Sequence, residues 1–162
     1  MSRLGPKEPH PAAHAAGAAP GFDPTDADLL GDIVRARVAG EVTAQRVDAA
    51  FAAPEDAARR FGLSAAPGTY VEITPDRAVE VLTTALHEDL AYGVEIVPLD
   101  RAAALARRVV AAHTDVGTRF YTNGTLGTQS PSWTPATDAT FDIGVLVLTP
   151  TISVVLWFQD ED

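Results

Sequence analysis

An α+β fold is predicted for this 162-residue chain by three observations. Apolar residues recur at helical spacing after Thr25 and Thr74, residues 69–73 alternate as a strand, and two nearly continuous apolar runs, 141–148 and 152–159, flank Thr149, Pro150 and Thr151. A helical N-terminal part, a β-α-β-α unit and a C-terminal antiparallel hairpin are expected to form one mixed sheet covered by helices. The length suits about one domain, and a composition of 46% hydrophobic and 21% charged residues is that of a globular chain with one core.

Residues 1–24 are Pro, Ala, Gly and His with almost no large apolar groups, too little to offset the entropy of ordering, and read as a disordered tail. His10 and His14 sit four apart, but Pro9, Pro11 and Pro20 argue against a helix that would pair them. The single domain is placed at 25–162. Thr25 caps a first helix carrying Leu29, Leu30, Ile33, Val34 and Val38. Gly40 interrupts it, Thr43 starts a second helical piece with Val47 and Phe51, and Pro54 opens a third that ends near Gly62.

After the strand at 69–73, Thr74, Pro75 and Asp76 supply a cap, a first-position proline and an acidic first turn. The helix they open buries Val79, Leu82, Leu86 and Leu90, and Gly93 ends it. Residues 94–97 read as a short strand, and Asp100 caps a helix turning Ala102, Leu105, Ala106 and Val109 to the core. Residues 118–122 form a strand, Asn123 and Gly124 a turn of positive φ, and a Thr/Ser/Pro loop runs to Thr140. Loops of this length are often functional. In the final hairpin Phe141, Ile143, Val145 and Val147 share one face and Leu146 and Leu148 the other, so the hairpin is central and covered on both sides.

The chain holds 12 basic and 22 acidic residues, a net charge of -10. The tail is neutral, so the imbalance lies on the domain, and no Lys or Arg occurs from Phe120 onward. A negative surface repels phosphate backbones and attracts basic partners, which argues against nucleic-acid binding and for a protein partner with a basic surface. The broader reading of the acidity is solubility alone. Without cysteine there is no disulfide framework or thiol nucleophile. No apolar run is long enough to span a membrane, and Pro, His and Gly break any signal-like stretch at the start, so a cytoplasmic location is expected.

No nucleophile elbow, phosphate-binding glycine loop or zinc-protease motif is present, and no cofactor or catalytic residue is assigned; His87, Glu88 and Asp89 lack the second histidine of the last. His87 and His113, beside Asp89 and Asp115, read as solvated helix-surface histidines. Asp160, Glu161 and Asp162 could join Asp142 around a hard cation, but neighbouring strand residues point to opposite faces, so no metal is assigned. Trp157 reads as structural. Trp133, in its polar loop, either plugs a core edge or is presented to a partner. The candidate partner-binding set is Tyr121, Asn123, Trp133, Asp138, Asp142, Asp160, Glu161 and Asp162.

The segments HEDLAYG (87–93), FYTNG (120–124), WTPATDATFD (133–142) and WFQDED (157–162) resemble those of small uncharacterised acidic proteins of high-GC bacteria. In size, acidity and α+β order the chain is similar, at the level of class, to immunity proteins of bacterial toxin systems, which block a toxin by covering its site. That likeness implies a non-enzymatic protein-interaction domain, in its narrower form an immunity-type inhibitor using the acidic C-terminal face. Two alternatives stand beside it: a small-ligand-binding protein or enzyme with Tyr121, Asn123, Trp133 and Asp142 around a pocket beside the hairpin, and a self-assembling structural subunit.

Overall fold

A computed structural model describes residues 24–126 and 130–162, the side chains of 24–26 excepted. The expected tail, with His10 and His14, lies outside these residues apart from Pro24, where helix α1 (Pro24–Ala36) begins. Strand β1 (Glu41–Val47), helix α2 (Pro54–Arg60), strand β2 (Val71–Ile73), and helices α3 (Pro75–His87) and α4 (Leu99–His113) follow. The chain then forms β3 (Arg119–Thr122), β4 (Gly124–Thr125), β5 (Ser132–Trp133), β6 (Phe141–Leu148) and β7 (Ser153–Asp160). The class is α+β, with a five-stranded sheet ordered β1-β7-β6-β3-β2 and a small β4-β5 ladder.

The β6-β7 hairpin is the sheet's centre, in register from Phe141 opposite Asp160 to Leu148 opposite Ser153. Thr149 closes its turn: its N–H donates to the Ile152 carbonyl at 3.0 Å and its hydroxyl accepts from the Ile152 N–H at 3.0 Å. Because successive strand residues alternate in direction, the hairpin feeds two cores. Ile143, Val145, Val147, Val154, Leu156 and Phe158 pack under α1, α3 and α4. Leu146, Leu148, Val155 and Trp157 pack on the opposite face with Tyr70, Tyr121 and the alanines of α2. Cover on both sides is what the continuous apolar runs predict.

Several local expectations are corrected. Residues 43–47 belong to strand β1, not to a second helical piece: β1 pairs with β7 along its whole length, from Glu41 opposite Gln159 to Val47 opposite Ser153. Its branched Val42, Thr43 and Val47 suit a pleated surface, and the open side of β7 supplies the pairing that outweighs local helical spacing. Gly40 makes the entry, at φ +69°, so close to Asp160 that a Cβ there would collide with the carboxylate. Residues 94–97 contribute only an isolated bridge, Glu88 to Glu95. The expected β-α-β-α unit is therefore β2-α3-α4-β3, two antiparallel neighbours separated by a helical hairpin, and every pair in the sheet is antiparallel rather than mixed. Finally, Asn123 and Gly124 do not adopt positive φ; the chain stays extended and enters β4.

Helix α3 starts as its residues predict, with the Thr74 hydroxyl accepting the Arg77 N–H at 3.1 Å. Its buried stripe is Ala78, Val81, Leu82, Ala85 and Leu86, while Val79 is only partly covered. Alanines let α3 lie close to α4, whose Ala102, Leu105, Ala106 and Val109 are buried as expected. Pro98, rather than Asp100, precedes α4, and the Asp100 side chain accepts the Arg101 N–H within the first turn.

Candidate functional site

Four of the eight candidate residues lie inside the protein, which removes them from any contact surface. Asp160, 2% exposed, stands on the three-helix face of β7 and forms a two-pronged ion pair with Arg37: Nη2 to Oδ2 is 2.6 Å and Nη1 to Oδ1 is 3.0 Å. Its carboxylate also accepts the Leu90 N–H at 2.7 Å, while Arg37 Nε donates to the Ala85 carbonyl. Every strong donor around this carboxylate belongs to the fold, so it clamps the end of α1 to the loop after α3.

Asp142, 1% exposed, points to the opposite face, because Phe141 and not Asp142 stands opposite Asp160. Its Oδ2 accepts the Ala136 N–H at 2.9 Å and the Trp157 indole N–H at 3.3 Å. The Asn123 side-chain amide donates to the Thr134 carbonyl at 3.0 Å and the Asp142 carbonyl at 3.1 Å. This network pins the loop after β5 onto the hairpin. Asp142 and Asp160 cannot share a cation, and among the described residues no group of three or more His, Asp or Glu is placed to hold a metal.

Tyr121 is buried in the core on the α2 side, with the Arg119 guanidinium 5.7 Å from its ring centre. Burial raises its phenol above its ordinary ionisation range, against the opposing pull of Arg119. Trp133 is half-buried and tilts against Phe141, ring centres 5.5 Å apart. The two small cavities beside it, of about 360 and 110 Å³, include Asn123 in the first and Asp142 in the second, and Tyr121 in neither. Neither cavity brings the four side chains together.

His113 is corrected as well. It is 2% exposed, with Nδ1 2.7 Å from the Val109 carbonyl, a helix-end core histidine rather than a solvated one. His87 is partly covered and its Nδ1 lies 2.7 Å from the Val97 carbonyl. Asp89 accepts the Ala91 and Tyr92 N–H groups, so it shapes a turn instead of serving His87.

The exposed candidates gather elsewhere. Glu161 accepts from the Thr140 hydroxyl at 2.6 Å, and Asp162 is 3.3 Å from the same hydroxyl. Glu161 and Asp138 line an open groove of about 880 Å³ on the α2 side of the sheet. Glu41 and Thr43 of β1, Gln159 of β7, residues 61–64 after α2 and residues 135–139 complete it. Its apolar part includes Phe61 and Leu63, with Pro135, Ala136 and Ala139, and among the described residues no Lys or Arg lines it. Glu41 and Thr43 fall on this face because they stand opposite Gln159 and Trp157.

Glu41, Thr43, Phe61 and Leu63 were not among the candidates. The signal that finds Glu41 and Thr43 is the strand alternation of 41–47, hidden by reading residues 43–47 as helix; Phe61 and Leu63 come from the loop after α2. No protein-family model matches the chain, and neither a curated protein nor a solved structure gives a match.

Proposed function

We propose that the protein is a non-enzymatic interaction domain whose acidic groove receives a basic surface of a partner protein, in its narrower form an immunity-type inhibitor. The observation that carries this reading is the groove lining: Glu41, Asp138 and Glu161 stand around a partly apolar cleft with no basic residue among them. Uncompensated carboxylates at a concave surface concentrate negative potential and speed encounter with a cationic partner. Phe61 and Leu63 offer desolvated contact, which carries more of the affinity than rim charges do. Compared with the sequence-derived set, the contact surface keeps Asp138 and Glu161, gains Glu41, and leaves Asp142 and Asp160 to the fold.

The test is binding of an oligo-lysine peptide to the wild-type protein and to the triple variant Glu41→Gln, Asp138→Asn, Glu161→Gln. Wild-type binding is expected to weaken steeply between 50 and 300 mM salt, since such charges are screened over about 10 Å at 0.1 M. The triple variant is expected to bind about ten-fold more weakly at low salt. Equal binding by both proteins sinks the proposal.

A further inference from the structure

Strand β1 is an outer strand of the sheet and forms one wall of the acidic groove. Its inner side is fully paired with β7. Among the described residues no other backbone bonds to the outer side of residues 41–45. The opposite outer strand, β2, has only three residues and runs straight into α3. An unpaired strand edge is a template for a further strand unless something blocks it, and residues 41–45 hold neither proline nor lysine, two residues that commonly do so.

The two faces of β1 differ. Glu41 and Thr43 project into the groove, whereas Val42 and Ala44, which alternate with them, pack partly against the core on the three-helix side. Val38, just before β1, is 85% exposed. A strand laid along β1 would present alternate side chains to these two environments.

Building on the acidic-groove reading, we infer that β1 accepts an extended segment of the partner as a sixth strand, with Lys or Arg at alternate positions and small apolar residues between them. The basic side chains meet Glu41, Asp138 and Glu161. The apolar ones extend the surface of Val42 and Ala44. Main-chain hydrogen bonds to β1 supply affinity, and the alternation supplies choice of partner.

The probe is a capped hexapeptide alternating Arg and Val, tested with two derivatives N-methylated on its Arg or on its Val positions. In an added strand only one of these sets turns its N–H groups toward β1. One derivative is expected to lose at least about ten-fold in affinity while the other keeps most of it, and binding of the parent peptide is expected to slow amide exchange within 41–45. Equal affinities of all three peptides, with exchange in 41–45 unchanged, overturn strand addition while leaving the acidic-groove reading intact. Failure of the parent peptide to bind, together with failure of oligo-lysine, overturns both. A glutamate-valine hexapeptide that binds as well as the parent overturns the charge pattern.

Discussion

At the scale of single residues, two carboxylates that look alike in the chain do different work from the exposed acids. Asp160 neutralises Arg37 in a site where both side chains are all but sealed from water. Breaking a buried pair strands the remaining charge, so Asp160→Ala is expected to lower the unfolding free energy by about 3–5 kcal/mol in urea titrations. Nothing near Asp160 in the sequence reveals this, because its partner lies 123 positions away. Tyr70 gives a pH prediction. Its hydroxyl donates to the Ser64 carbonyl, and burial, reinforced by the Asp142 and Glu55 carboxylates, raises its phenol well above its ordinary 10.0. The folded state therefore holds the proton more tightly than the unfolded chain. Its contribution to stability is full below pH 10 and is lost as pH rises toward the folded-state value. Urea unfolding at a series of pH values above 9 should show stability falling in the wild type and falling less steeply in Tyr70→Phe, which also loses about 1 kcal/mol at neutral pH with its hydrogen bond.

Among the elements, the central hairpin was the most legible, because eight-residue apolar runs leave little alternative to a strand covered on both faces. Gly144 within it is required by close approach: a Cβ there would overlap the Leu156 carbonyl and the Trp157 ring. Gly144→Ala should destabilise the fold by about 1–3 kcal/mol, the range for forced overpacking, read as a lower urea midpoint. The start of α3 was equally legible, and Thr74→Ala should cost about 1 kcal/mol by the same measurement. Strand β1 was not legible, because Thr43, Val47 and Phe51 recur at helical spacing and the pairing with β7 that decides the matter is over a hundred residues distant in sequence. Misreading β1 also concealed one wall of the candidate site, since Glu41 and Thr43 reach the groove only through strand alternation. His113 was misread for a related reason: the fold buries the last turn of α4, whereas local polarity suggested solvent.

For the molecule as a whole, the net charge of -10 has a place as well as a size. Arg37 consumes one of the C-terminal carboxylates in the interior, and the fold brings Asp138 and Glu161 together with Glu41 from the other end of the chain. That distribution joins β1, the longer of the two outer strands among the described residues, to the acidic cleft. The most direct measurement is a two-dimensional amide NMR titration of the intact chain with the arginine-valine hexapeptide at low salt. The account predicts shift changes concentrated in 41–45, 61–64, 135–139 and 159–161, and reduced by added salt. Changes centred on α3 and α4, or spread evenly over every exposed acidic residue, would contradict it.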